Sequence, residues 1–328
     1  MTGQKISYCE AIHSGFDYLL SNYPEVFVMG QGLWSPWYVG NTMKGLEQKY
    51  GKHRILDTPV SELATTGAGV GAATVGMKPI VVHPRMDFML YAMDPIVNQA
   101  AKWSYMFGGQ AAAGITVRAI INRGGEQGAQ HSQALHAWFS HIPGLRVVMP
   151  SSVKDARDLL IASVLSSDPV IYIDDRALYN NTDIVGPIEK LEISKEGPRI
   201  IKSGSDITLA GSGFCVDLLL EAANKISLKG IDAEVIDLRV ISPYNPGVVN
   251  LSINKTGRLL VADGGWKSCG FAGEVIASAI ECVDLERWKS KPVRMTLPDF
   301  PAPCSKHLER DYYLDQTKIV EMIDKIIC

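Results

Sequence analysis

Apolar positions along this chain fall into two alternating rhythms, one helical and one extended. Ala11, Ile12, Phe16, Leu19 and Leu20 form one stripe and predict an amphipathic helix over residues 4–22. Val26-Phe-Val-Met29 predicts a short buried strand, ended by Gly30-Gln31-Gly32. Residues 41–50 read as helix, Arg54-Ile-Leu56 as an extended run, Pro79-Ile-Val-Val82 as a second buried strand, and residues 94–106 as a long helix. Ile115–Ile121 and Arg146–Met149 continue a β–α alternation that predicts a parallel sheet covered on both faces, and residues 155–165 and 170–173 add one more helix and strand. Between about Thr182 and Ser205 the pattern dissolves into charge, Pro and Gly. A linker is expected there, over residues 191–204, dividing a domain of residues 1–190 from one of residues 205–328. The later stretch repeats the alternation: strands at 207–210, 233–237 and 259–262, with a helix from Cys215 to Leu228. The expected fold class is α/β, a parallel-sheet domain followed by a smaller α/β domain.

Composition narrows the function classes. At 46% hydrophobic and 20% charged residues over 328 positions, this is globular protein with room for two cores. A net charge of −3, with no basic run interleaved with aromatics, argues against nucleic acid or an anionic membrane as partner. Apolar stretches are broken well short of a membrane span, and the N-terminus lacks the apolar core of a signal peptide, so a cytoplasmic protein is expected. The six cysteines show no C-x-x-C, and the seven histidines no metal-like pairing. Gly67, Gly69 and Gly71 lie inside an apolar helical pattern and read as helix–sheet packing. Gly211-Ser-Gly213 sits between strand and helix as an anion-binding loop would, but lacks the third glycine of a dinucleotide fingerprint.

One junction carries candidate chemistry. Asp57-Thr-Pro-Val-Ser-Glu62 closes a strand and opens a glycine-punctuated helix. Glu62 is there either as a first-turn carboxylate favoured by the dipole, with Ser61 or Thr58 as cap, or as an acid whose proton affinity is set by an apolar surround. Some 70 residues on comes Gly128-Ala-Gln-His131-Ser-Gln133.

In that order and spacing, the two segments resemble the β subunit of the thiamine-diphosphate-dependent first component of 2-oxoacid dehydrogenase complexes. Asp94-Pro-Ile-Val-Asn-Gln-Ala-Ala-Lys102, the stretch from Ala137 to Pro150 and Gly264-Gly-Trp266 extend the resemblance over essentially the whole chain. It implies a pyrimidine-binding domain followed by a transketolase C-terminal-like domain, with thiamine diphosphate as cofactor. Glu62 then matches the acid that protonates the aminopyrimidine ring, Phe88 its aromatic platform, and His131 the imidazole that reaches the reacting carbons. His141 reads as supporting structure, while His83 and His136 stand where familiar members have other residues and are candidates to touch substrate. A monovalent cation, K⁺ in kind, is implied at Ile115, Ser163, Val164, Ser166 and Asp168. The Gly-Asp-Gly motif that supplies diphosphate and Mg²⁺ ligands is missing, so the chain resembles half an active site, paired with an α-type subunit in a heterotetramer and served by a lipoyl acyltransferase.

Departures surround this core. An acid is replaced in Gly30-Gln31-Gly32, and Val82 stands where an acid is common. Trp34 and Trp37 are additions, and the usual Arg-Gly-Pro-Asn-Gly loop is read at Arg118–Asn122. Arg85 brings a guanidinium suited to an anionic substrate group, and Gln31 joins it as a substrate candidate. Two enzymatic readings follow: decarboxylation of a 2-oxoacid with acyl transfer to lipoamide, or a transketolase-like or acyloin-forming transfer to an aldehyde or other acceptor. A non-catalytic scaffold for an α chain is the third.

Overall fold

The computed structural model describes residues 3–327. In its first half, β1 (Gln4–Ser7), α1 (Tyr8–Asn22), β2 (Val26–Gly30), α2 (Leu46–Tyr50), β3 (Ile55–Asp57), α3 (Glu62–Thr74) and β4 (Lys78–His83) come first. A 3₁₀ segment (Met86–Ala92) and a π-helical one (Asp94–Ala100) lead into α4 (Ala101–Met106). Then follow β5 (Thr116–Ile121), α5 (His136–Ser140), β6 (Arg146–Val148), α6 (Val153–Leu165), β7 (Val170–Asp175) and β8 (Thr182–Val185). The second half holds β9 (Arg199–Lys202), β10 (Ile207–Gly211), α7 (Phe214–Ser227), β11 (Ala233–Asp237), β12 (Val240–Ser242), α8 (Gly247–Thr256) and β13 (Leu259–Trp266). It closes with α9 (Phe271–Cys282), β14 (Val293–Leu297), α10 (Lys306–Tyr312) and α11 (Gln316–Ile327).

Two sheets organise these elements. The first has seven strands in the order β12-β6-β7-β5-β4-β2-β3, parallel except at β12. The second has five, β14-β13-β10-β11-β9, with only β9 antiparallel. Strands β5, β7 and β10 are buried along their whole length, which is why apolar residues dominate them on both faces. The β12 strand returns from the second half to extend the first sheet. The two units are also tied by Asp155 of α6, which pairs with Arg199 at 2.5 Å and Arg239 at 3.2 Å.

Several expectations need correction. Residues 4–7 are not helix: Ser7 and Glu10 form a capping box that starts α1 at Tyr8, and the four residues before it pair with β8. The helix expected over 41–50 shrinks to five residues, because Asn41 and Gly45 take positive φ of 64° and 78°. The stretch from 182 to 205 is not featureless, since it carries β8 and β9. Arg118–Asn122 is not a loop either: through Ile121 it is central strand β5. Arg118 is accepted there because Asp174 takes two of its N–H groups at 2.8 Å, Thr42 and Tyr179 taking others. At Gly69 the helix–sheet packing reading holds: a Cβ would come within 2.8 Å of Val81, whereas Gly67 and Gly71 face open space. At Gly211-Ser-Gly213 the side chain of Met149 covers the turn, its sulfur 3.5 Å from the Ser212 hydroxyl.

Candidate active site

Open parallel sheets bind ligands beyond the carboxyl ends of their strands. At that edge of the first sheet, β2 ends at Gly30, whose φ of 155° and close approach to the Val82 carbonyl exclude a side chain. Asp57, at the end of β3, then pins the following loop by accepting from the backbone N–H groups of Gly32 (2.6 Å) and Leu33 (3.3 Å). This holds Gln31 against α3, where its side-chain amide donates to Glu62 Oε1 at 2.9 Å.

Glu62 is the first residue of α3, buried to 8% exposure, in the favourable field of the helix N-terminus. Ser61 occupies the N-cap position but makes no capping hydrogen bond, and the Thr58 hydroxyl is buried without a partner. The capping reading is therefore not what the junction does. Glu62 instead lines a cavity of about 580 Å³ with Gln31, Tyr38, Ser61, Phe88 and Tyr91. Its second carboxylate oxygen has no hydrogen-bond partner among the described residues. An acid with one fixed oxygen and one open oxygen, walled by aromatic rings, fits a flat nitrogen heterocycle that needs a shared proton.

Phe88 and His131 are brought together. Their ring centroids lie 5.2 Å apart at 79°, an edge-to-face contact. Asp87, beside Phe88, accepts both the backbone N–H of Gln133 (3.0 Å) and its side-chain amide (2.9 Å), which fixes the loop bearing His131. Burial raises the Asp87 carboxyl above its ordinary range, against the opposing Gln133 hydrogen bonds. Neither Asp87 nor Tyr38 and Tyr91 stood out in the sequence, although Asp87 adjoins the platform residue directly.

His83 lies at the end of β4, its Nε2 3.2 Å from the Thr66 hydroxyl. Burial pushes it down to about 4, with the nearby Glu62 carboxylate opposing, so it stands neutral behind the acid. His136 is placed elsewhere: only 1% exposed, its Nε2 sits 2.9 Å from Asp263 of the second unit, and it does not line the Glu62 cavity. His141 is exposed and lines a separate cleft with Cys269 and Glu274. Arg85 immediately precedes the 3₁₀ segment and lines a second cavity, not the one that Glu62 lines. Trp34 is anchored locally, its indole N–H donating to the Ile55 carbonyl at 2.9 Å.

The residues matched to a monovalent cation have protein partners. The Ile115 carbonyl accepts from Val170 (2.9 Å), that of Ser163 from Ser166 (3.3 Å), and that of Ser166 from the Lys78 ammonium (2.5 Å). Such a cation would be held by main-chain carbonyls, so the core packing of the Val164 side chain and the Asp168–Arg146 ion pair at 2.7 Å do not bear on it. Among the described residues no three His, Cys, Asp or Glu side chains come together as a metal site.

Two open α/β units, with a carboxylate-headed helix over an aromatic cavity, define a transketolase-like architecture. Residues 4–182 match the family Transketolase, pyrimidine binding domain, and residues 198–319 match Transketolase, C-terminal domain. The chain is 38% identical to the pyruvate dehydrogenase E1 component subunit beta-1 of Oryza sativa subsp. japonica, over 92% of this chain and 81% of that one. It is 38% identical to the acetoin:2,6-dichlorophenolindophenol oxidoreductase subunit beta of Bacillus subtilis (strain 168), over 85% and 81%. A solved split-gene transketolase, an inactive β4 tetramer, superposes with a TM-score of 0.78 at 20% identity over 98% of both chains, which speaks to the fold. The chain belongs to the transketolase pyrimidine-binding and C-terminal domain family, among the β subunits of 2-oxoacid dehydrogenase first components. No helix among the described residues is long and apolar enough to cross a membrane.

Proposed function

We propose that this chain is the β subunit of a thiamine-diphosphate-dependent 2-oxoacid dehydrogenase, and that its active site is completed by an α-type subunit. The observation that carries the reading is Glu62, half satisfied by Gln31 and open toward an aromatic-walled cavity, in a chain whose relatives bear β-subunit names. Thiamine diphosphate, when bound, supplies the electron sink for carbanion chemistry that amino-acid side chains lack. Glu62 would hold the proton shared with the aminopyrimidine ring, and Gln31 would orient that carboxyl group. Phe88 would pack against the ring system. His131, fixed through the Asp87–Gln133 tie and buttressed by Phe88, would deliver a proton to a developing alkoxide. His136, locked to Asp263, would hold the two units together rather than meet substrate.

Among the described residues no cluster of His, Cys, Asp or Glu could hold Mg²⁺, so the partner subunit would hold the diphosphate–Mg²⁺ end. At the proposed cation loop the Lys78 ammonium supplies positive charge of the chain's own, and we assign no separate K⁺ there. Exposed apolar side chains lining the site, Val60, Leu63 and Tyr91, suit burial against an α subunit in a heterotetramer. Relatives with mitochondrial names and bacterial relatives occur together, so kinship does not choose a compartment; the free cysteines suit a reducing one such as the cytoplasm.

Co-expression with an α-type chain tests the reading. A complex of about four subunits that releases CO₂ from a 2-oxoacid and reduces lipoamide or a dye supports it. Carbon–carbon bond formation with an aldehyde, without reduction, would favour the transketolase-like alternative. Activity unchanged in Glu62→Gln and His131→Ala would reduce the chain to a scaffold.

A further inference from the structure

Beside the Glu62 cavity lies a second one of about 280 Å³, lined by Arg85, Asn122, Arg123, Gly124, Gly125, Gln127 and Arg176. It is built by the loops that follow β4, β5 and β7, which are neighbouring strands of the first sheet. Added Cβ atoms at Gly124 and Gly125 would meet only open space.

Of the three arginines lining this cavity, Arg85 and Arg176 differ from Arg123 and from Arg118 of β5. Arg118 and Arg123 are each neutralised by an aspartate, Asp174 and Asp175. Arg85 and Arg176 have no carboxylate partner among the described residues. Arg85 donates to the Pro84 carbonyl (3.0 Å) and, at 3.5 Å, to Gln127, while Arg176 donates to the Tyr38 carbonyl (2.7 Å). The Nε atom of each is buried with no hydrogen-bond partner. Asp87, the acid nearest Arg85 in sequence, accepts from Gln133 through Oδ1 alone; its Oδ2 is buried without a partner and its charge attracts Arg85 without forming an ion pair, while Asp175 is taken by Arg123 and the Ala177 N–H. Burial, and then the Arg176 charge, pull Arg85 below its ordinary value. Two half-buried guanidiniums lining one cavity, each with an orphaned N–H group, repel one another unless an anion lies between them.

The cavity adjoins the reaction site. The Phe88 N–H donates to the Arg85 carbonyl at 3.2 Å, so the platform and the guanidinium sit one turn apart. Tyr38 touches both sites, lining one and accepting from Arg176 in the other. Gln127 opens the loop that ends in His131. One to two strand spacings, about 5–10 Å, separate the two sites along the edge.

The geometry points to the Arg85–Arg176 pair as the recognition site for a second anionic group, carboxylate or phosphate, at the far end of the substrate. This rests on the 2-oxoacid reading above and deepens it: the substrate is an oxoacid with an anionic tail, and a plain alkyl 2-oxoacid is the poorer one. Planar guanidinium forks suit either anion through charge-assisted hydrogen bonds.

The test compares 2-oxoglutarate with 2-oxopentanoate, equal in length and differing in the distal carboxylate, on the co-purified complex. The wild type is expected to favour the dianion in kcat/KM by about tenfold to hundredfold, the worth of one or two charge-assisted hydrogen bonds. That ratio is expected to collapse toward unity in Arg85→Gln and in Arg176→Gln, and to be partly kept in Arg85→Lys, which guards against a folding defect. In parallel, thermal shifts are read with inorganic phosphate and with malonate. Greater stabilisation by phosphate assigns a phosphorylated substrate, by malonate a dicarboxylic one, and both shifts vanish in the double Gln variant. Turnover of 2-oxopentanoate equal to that of the dianion, with no anion stabilisation, overturns the proposal and leaves the dehydrogenase reading intact. Anion stabilisation that depends on the two arginines, without turnover of any 2-oxoacid, upholds the anion site and sinks that reading instead.

Discussion

The carboxyl edges of the two sheets each present an acid, and the two acids are treated oppositely. Asp263, within β13, is completely provided for by its own chain. His136 lies 2.9 Å from one oxygen, the Gly265 N–H donates to that oxygen at 2.8 Å, and the Ala272 N–H donates to the other at 2.9 Å. Burial works against this carboxylate, yet those partners hold it below the usual range. Glu62 has Gln31 alone and an open cavity in front of it. The same contrast separates Arg118, saturated inside β5, from Arg85 and Arg176. A folded chain rarely leaves buried polar groups half satisfied, so where it does, something from outside belongs. By that measure Asp263 belongs to the architecture and Glu62 to a site awaiting its complement.

Breaking either side of the contrast should give different signatures. The largest effect belongs to Glu62→Gln, which keeps the Gln31 contact region but removes the shareable proton. A fall in kcat of about 10³-fold is expected in the reconstituted complex, with the urea midpoint unmoved. Asp263→Ala should do the reverse. Leaving His136 buried and unpartnered is expected to cost about 3 kcal/mol of stability, seen as a lower urea midpoint, while cofactor affinity in the surviving complex holds. His131→Ala comes next, with a loss of about 10²-fold in kcat and retained cofactor, read by steady-state kinetics.

The smallest effect sharpens the comparison through pH. The folded value of His83, about 4, lies below its ordinary 6.5. Its contribution is therefore fully present above pH 6.5 and is lost as pH falls through 4. Between pH 7.5 and pH 5 this should remove about 2 kcal/mol of stability, which a His83→Gln variant would not lose over that interval. A variant as acid-sensitive as the wild type would show that His83 is not the neutral group behind Glu62.

Much of this was legible in the sequence because it depends on local pattern. The buried strands announced themselves as apolar runs, and the Glu62 and His131 segments stood out by their order and spacing, which carry the family resemblance. What escaped depends on tertiary pairing. Arg118 was read in two ways, inside the strand Ile115–Ile121 and as the start of a family loop, because nothing near it in sequence reveals Asp174, 56 positions on. His136 looked available to substrate because its partner Asp263 is 127 residues away. Arg176 drew no attention, for an arginine at a strand end is ordinary until its lack of a carboxylate is seen. Lys78 was likewise invisible as the cation on the Ser166 carbonyl, a contact spanning 88 positions.

The central claim is that Glu62 manages a proton in a site that needs a second chain. The most direct measurement is deuterium exchange at the thiazolium C2 of added thiamine diphosphate, quenched in acid and read by proton NMR. It would be run on the complex, on the Glu62→Gln complex and on this chain alone. Fast exchange is predicted in the wild-type complex only, with both other samples near the rate of free cofactor. Equal exchange in the Glu62→Gln complex, or fast exchange with the lone chain, would contradict the account.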